Sequence, residues 1–193
     1  PTRAEVSDVA NAIYDCTSLV MLSGETAIGR YPIEAVNVMH SIIKEAEADF
    51  NYQAFFDQHA PLVYHDVPSA VTLATVKTAY SSNAKAIFAF TRGGSTARLL
   101  SRLRPKMPII AMTGLKKSFH QLAFNWGVVP YYHEECKSVQ DGFEKLSAFA
   151  LENEFVSYGD LVVMTAGNPF GVSGTTNMMI VESIGDVLVR GRS

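Results

Sequence analysis

Cysteine is scarce in this chain. Its 193 residues hold two, Cys16 and Cys136, too few and too far apart for a disulfide framework or a metal-ligand spacing, and both read as ordinary small core residues. No Asn-x-Ser/Thr acceptor occurs, which suits a reducing cytoplasm. No apolar run reaches the ~18 residues of a membrane span, and no basic segment leads into a hydrophobic one at the N-terminus, so no membrane is expected as a partner. The five histidines, His40, His59, His65, His120 and His133, show no metal spacing and read as structural or exposed side chains. A strongly basic balance is also missing: the net charge is −3, no nucleic-acid module is recognisable and aromatics do not interleave with the cations, which argues against nucleic acid. The chain opens on Pro1 rather than Met, as a piece of a longer protein would.

What is present is a globular composition, 48% hydrophobic and 18% charged, at a length that sustains one full core with an appendage. Charge divides the chain. Residues 1–66 carry three basic side chains against ten acidic ones, whereas residues 67–193 carry 13 against 9. The basic excess gathers in Arg92, Arg98, Arg102, Arg104 and Lys106, a distribution that favours a phosphorylated small molecule over a long polyanion, or else forms a solvated helix face.

Periodicity predicts alternating elements. PTRAEVSDVANAIYD reads as a helix, SLVMLSG as a buried strand, and YPIEAVNVMHSIIKEAEADF as a long helix with Pro32 in its first turn. FDQHAPLVYHDVP carries two prolines, loses the period and reads as a linker. A helix from Pro68 to about Asn83 follows. Strands are then expected at 85–91, 108–113, 128–132 and 160–166, with helices at 95–103, 116–126 and 138–152 between them. Such alternation implies an α/β fold: a three-layer α/β/α domain with a mostly parallel five-stranded sheet. After the glycine-rich AGNPFGVSGTT, the tail NMMIVESIGDVLVRG should return as an antiparallel edge strand.

The stretch AIFAFTRGGSTARLL, Ala86 to Leu100, carries the chemistry. A strand, a Gly-Gly turn and a helix start present unpaired N–H groups and about half a positive charge, which together suit an anion. Gly93 and Gly94 allow close approach of the main chain, Thr91, Ser95 and Thr96 offer hydroxyls, and Arg92 adds a cation. The other reading of the same residues is a plain strand-to-helix turn capped by Ser95 or Thr96.

Two stretches resemble one family. SLVMLSGETAIGRYPIEAV, preceded by PTRAEVSDVANA, is similar to the end of the catalytic barrel of pyruvate kinases, and TAGNPFGVSGTTN is similar to the end of their C-terminal domain. The resemblance runs through the whole chain. It implies that residues 1–66 are the last helix, strand and helix of a (β/α)8 barrel and that residues 67–193 are the complete regulatory domain. It implies a parent enzyme that moves a phosphoryl group from phosphoenolpyruvate to ADP with Mg2+ and K+. The metal-binding carboxylates and reactive lysine of that enzyme would lie outside this segment, so the chain alone should be inactive and need no cofactor. Alternatives are a free-standing sugar-phosphate-binding protein or isomerase, and a module for assembly only.

Specific residues acquire roles through the same resemblance. Ser23, Gly24 and Glu25 would border the active site, Ser23 positioning water or a proton, although Glu25 reads equally as a structural carboxylate near a helix start. Ile28 stands where animal forms carry a lysine, so no nucleotide contact carries over to it. Thr91, Arg92, Gly93, Gly94, Ser95 and Thr96 would receive the phosphate of an allosteric effector, and a loop containing Gly167, Gly171, Ser173, Gly174 and Thr175 would close over it. The tryptophan and arginine that clamp fructose bisphosphate in some animal forms have no match in KSVQDGFEKLSAFA, which leaves a pentose monophosphate or AMP as further candidates. Family members are tetramers, so self-association as a dimer or tetramer is expected. The strand SLVMLSG, deprived of barrel neighbours, should either refold against the regulatory domain or pair with a second copy.

Overall fold

A computed structural model describes residues 1–60, 66–169, 172 and 174–185. They divide into two compact units, Pro1–Asn51 and Tyr52–Ser193, a division earlier in the chain than the 66/67 boundary suggested by the sequence.

The first unit is helical. Helix α1 (Arg3–Tyr14) starts with a capping box: the Thr2 hydroxyl accepts from the Glu5 N–H, and the Glu5 carboxylate accepts from the Thr2 N–H at 2.7 Å. That backbone bond, followed by one from the Thr2 hydroxyl, holds the Glu5 carboxyl below its usual range. After the four-residue helix α2 (Gly24–Ala27) comes α3 (Pro32–Asp49), opened by Pro32, whose missing N–H has no intrahelical partner to lose at that position. Helices α1 and α3 pack together and bury Ile13 and Ala46. The strand expected over Ser18–Gly24 does not form. A strand needs a neighbouring backbone to accept its N–H groups, and none pairs with this segment among the described residues, so Leu19 and Met21 stand 53% and 83% exposed.

The second unit begins with a helix whose second half, Phe56 to His59, overlaps the start of the stretch that the sequence suggested as a linker. Tyr52, Phe55 and Phe56 fall at helical spacing in α4 (Tyr52–His59), where Phe56 is buried and tilts against Tyr80 at 5.5 Å. Helix α5 (Val67–Ser81) is capped by Asp66, whose carboxylate accepts from Ser69 N at 2.8 Å. Then strand and helix alternate: β1 (Ala86–Phe90), α6 (Ser95–Arg102), β2 (Ile109–Thr113), α7 (Lys116–Leu122), β3 (Val128–Tyr132), α8 (Val139–Glu152) and β4 (Leu161–Gly167), with β5 (Thr176–Ser183) last. Helix α7 ends at Leu122, four residues before the expected stop at Trp126, where Asn125 Nδ2 donates to the Gln121 and Leu122 carbonyls and Trp126 turns inward.

The sheet order is β3-β2-β1-β4-β5. The first four strands are parallel, in register Phe88↔Ile110 and Phe88↔Met164 through the centre, and β5 returns antiparallel to β4. Every residue of β1 and β2 is buried, which is why these strands read as unbroken apolar runs: helices cover both faces. Ile87, Ala89 and Ile109 face α5, α6 and Leu122 of α7, whereas Phe88, Ile110 and Met164 face Phe143, Leu146 and Ala150 of α8. Each such large side chain contributes about 1.5–3 kcal/mol by leaving water. The chain steps from β1 outward to β2 and β3, then crosses back through α8 to β4 on the other side of β1. The carboxyl ends of β1 and β4 therefore splay their loops apart, the place where open α/β sheets form crevices.

Candidate functional site

The turn after β1 is built by its own backbone. Thr91 N donates to Met112 O at 3.0 Å, and the Thr113 hydroxyl donates to Arg92 O at 2.9 Å while accepting from Leu115 N, so one side chain at the end of β2 fixes two turns. Gly94 has φ +86° and is the N-cap of α6. A Cβ there would meet Arg98 Nη1 at 2.6 Å and Leu122 Cδ2 at 3.2 Å, and the left-handed backbone disfavours any L side chain. The Arg98 guanidinium donates to Gly93 O at 3.0 Å. No side chain caps α6. The helix therefore starts at Ser95 with its first N–H groups uncapped by any hydroxyl, which decides against a turn built around a Ser95 or Thr96 cap.

Beside this turn lies a cavity of about 230 Å3 over the carboxyl ends of four adjacent strands. Thr91 and Arg92 come from β1, Thr113 and Gly114 from β2, His133 and Cys136 from β3 and its loop, and Gly167 from β4. Two polar atoms among these residues, Thr91 Oγ1 and His133 Nδ1, are buried without a hydrogen-bond partner. Thr91 itself is only 9% exposed. An unsatisfied buried polar atom costs about 1–3 kcal/mol, so a pair of them on one cavity marks a place where a ligand can supply the missing bonds. Behind the wall, Gly142 lets α8 press on the Phe90 ring and Cys136. Burial, and then the nearby Asp141 charge, push the Cys136 thiol above its ordinary pKa, so it is a packing group. Asp141 is held below the usual carboxylate range by Lys145, whose Nζ lies 2.8 Å away, and by the Lys137 N–H.

The residues expected to bind phosphate are thus divided. Thr91 and Arg92 line the cavity; Gly93, Gly94, Ser95 and Thr96 do not. Gly93 and Ser95 are exposed at the turn, while the Thr96 hydroxyl is buried 2.6 Å from that of Thr176 at the start of β5. In the second loop, Gly167 lines the cavity, and its lack of a side chain is what admits Thr175, which any Cβ would strike. The Thr175 hydroxyl donates to Val172 O, and Gly174 takes φ +81°. Gly171 and Ser173 lie outside the described residues. Thr113, Gly114, His133 and Cys136 were not anticipated, although the rule that ligands bind at the carboxyl ends of parallel strands points to all of them once the strands are placed.

In the first unit, Ser23, Gly24 and Glu25 are exposed around the start of α2. The Glu25 carboxylate accepts the Ser23 N–H at 3.0 Å, a structural bond within the turn. A second cavity, of about 670 Å3, runs past Val9, Met21, Leu22, Val38, Met39 and Ile42. It is larger than the cavity at the sheet and is bordered as well by Glu5, Asp8, Glu25, Arg30, Tyr31 and Glu34, but the buried unpartnered polar atoms of Thr91 and His133 belong to the smaller cavity, which makes that one the better ligand candidate. Among the described residues no three His, Cys, Asp or Glu side chains are grouped to hold a metal ion, and no helix is long and apolar enough to cross a membrane.

Fold and cavity together define a doubly wound α/β domain with a crevice at the carboxyl ends of its parallel strands, joined to a helical segment of different architecture. The model for the pyruvate kinase alpha/beta domain matches residues 69–182, and that for the pyruvate kinase barrel domain matches residues 1–36. The chain belongs to the pyruvate kinase family. It is 46% identical over 191 residues to the pyruvate kinase of Staphylococcus epidermidis and 45% identical to that of Staphylococcus aureus, in each case covering 99% of this chain. It spans a third, 33%, of the length of those relatives. A crystal structure of a pyruvate kinase from Cryptosporidium parvum superposes with a TM-score of 0.89 at 34% identity, covering 95% of this chain and 36% of that one. The Cryptosporidium enzyme in complex with ADP gives 0.87 at 35% identity.

Proposed function

We propose that this chain is the regulatory part of a cytoplasmic pyruvate kinase, an enzyme that transfers phosphoryl from phosphoenolpyruvate to ADP to give pyruvate and ATP, and that it binds a phosphorylated allosteric effector. The observation that carries the reading is the unpartnered, buried Thr91 hydroxyl on a cavity beside the uncapped start of α6, with Arg92 at its rim. The uncapped N–H groups and the helix dipole supply partial positive charge, Arg92 a full one, and the hydroxyl a directed donor. No step through a metal is assigned to the described residues, among which no three His, Cys, Asp or Glu side chains are grouped to hold a metal ion. The family membership leaves the free-standing isomerase reading without support.

Calorimetric titration with ribose 5-phosphate, glucose 6-phosphate, fructose 1,6-bisphosphate and AMP tests the proposal. At least one should bind. Because Arg92 is exposed, solvent screens its bond, and Arg92→Ala should cost about 1 kcal/mol, roughly fivefold in affinity. Absence of binding at millimolar concentration overturns the reading. In a coupled assay the chain alone should give background turnover, and a rate above ~1 s⁻¹ would show that it carries more of the chemistry than its length allows.

Self-association is a second role, favoured by β5. It pairs with β4 on one side and, among the described residues, is the last strand of the sheet, with Val181 40% exposed, and an edge strand offers backbone groups to a further chain. Light scattering that finds only monomer at micromolar concentration removes this role.

A further inference from the structure

His133 occupies a position that the phosphate turn does not explain. It follows β3, and its N–H donates to Thr113 O at 3.1 Å, continuing the parallel ladder past the strand end. The β3–α8 loop then folds over the end of β2, so closely that a Cβ on Gly114 would lie 3.2 Å from Glu134 O and 3.4 Å from His133 O. This fold-back sets the imidazole on the cavity wall, with Nδ1 buried and unpartnered. Thr91 Oγ1, the other unpartnered atom on the cavity, comes from β1, two strands away across β2. The cavity is therefore polar at two places.

The two places differ in charge. Arg92 stands beside Thr91 and is the one Lys or Arg among the described lining residues, while Glu134 lies beside His133. A phosphate suits the Arg92 end, where acceptor oxygens meet donors. The other end has no Lys or Arg among the described lining residues to hold a second phosphate. A hydroxyl, by contrast, both donates and accepts, so it satisfies His133 Nδ1 in either imidazole tautomer. The volume of about 230 Å3 falls below the ~300–1,000 Å3 of pockets for drug-sized ligands, which favours a compact guest.

Resting on the effector reading above, we propose that His133 is a specificity-determining residue, and that the cavity takes a small sugar monophosphate with its phosphate at the Thr91–Arg92 end and a hydroxyl on His133 Nδ1. The contact selects for the sugar and against a bisphosphate.

Titrations of the 193-residue chain followed by amide chemical shifts, which read millimolar affinities, test this with inorganic phosphate, ribose 5-phosphate and fructose 1,6-bisphosphate as probes. The wild type should bind ribose 5-phosphate more tightly than either of the others. His133→Ala should weaken ribose 5-phosphate about three- to tenfold, the worth of one hydrogen bond, and leave inorganic phosphate within twofold. His133→Gln, which keeps an amide donor and acceptor, should recover part of the loss and guards against a folding defect in the alanine variant. Ribose 5-phosphate binding that His133→Ala leaves unchanged, an equal loss for both monophosphate probes, or tighter binding of the bisphosphate overturns this inference alone. No shift with inorganic phosphate or ribose 5-phosphate while fructose 1,6-bisphosphate, glucose 6-phosphate or AMP binds likewise overturns this inference alone, and no shift with any of the five overturns the effector reading and this one with it.

Discussion

The two adjacent glycines of the turn should respond in opposite ways to the same methyl group. At Gly94, φ +86° places an alanine in the left-handed region at a cost of about 1–2 kcal/mol. The new Cβ also meets Arg98 Nη1 at 2.6 Å and Leu122 Cδ2 at 3.2 Å. The guanidinium can swing away, surrendering its bond to Gly93 O, for about 0.5 kcal/mol at an exposed site. Leu122 is fully buried and must shift by a few tenths of an ångström. The total is about 2 kcal/mol, or roughly 4–8 °C in Tm for a domain of this size. At Gly93 nothing lies within 4 Å of an added Cβ, and φ is not positive. Gly93→Ala should then be neutral or gain about 0.4–1 kcal/mol through a stiffer unfolded chain. Thermal and urea unfolding followed by the fluorescence of Trp126, the one tryptophan in the chain and a buried member of the second unit, reads both variants in the unit that holds them. A Gly94→Ala protein as stable as wild type, or a Gly93→Ala protein less stable than Gly94→Ala, would refute the assignment of strain to position 94.

Arg104 is buried with its guanidinium carbon 4.1 Å from the Trp126 ring centre and 5.6 Å from that of Phe55. Arg104→Ala should lower stability by about 2 kcal/mol and Arg104→Lys by about 1, since an ammonium cannot stack as a plane does; a lysine variant with a wild-type urea midpoint by circular dichroism would show that stacking is unimportant here. The Asp141 carboxyl, held low by Lys145 and the Lys137 N–H, contributes stability that is present above the ordinary aspartate pKa of about 3.9 and is lost as pH falls through the lowered folded value. Asp141→Asn should accordingly be less stable than wild type at pH 7, and urea midpoints for the two should converge toward about pH 2; a gap of constant size across that range assigns the effect to something other than the charge.

Much of the sheet was legible because burial on both faces leaves a plain trace. AIFAF, IIAMT and LVVMTAG read as continuous apolar strands and form β1, β2 and β4. The same trace misleads at SLVMLSG, because an apolar run records fitness for burial between neighbours and not whether neighbours exist. Helix α4 was hidden behind the prolines that follow it, although the spacing of Tyr52, Phe55 and Phe56 carried the signal. At the site, Thr91 and Arg92 were visible as the ends of a strand-turn-helix pattern. His133 and Cys136 were not, because only the parallel registers Phe90↔Met112 and Met112↔Tyr131 bring residues so distant in sequence to one rim.

The location of the cavity has an evolutionary consequence. Its walls come from loops at the strand ends, where His133 and Cys136 are only partly buried and Arg92 is exposed, while the side chains that hold the sheet together, such as Ile87, Phe88 and Ile110, lie wholly inside it. Substitutions at the rim can therefore accumulate at little thermodynamic cost, and lineages that share one scaffold can drift apart in the lining of this cavity without passing through an unfolded ancestor.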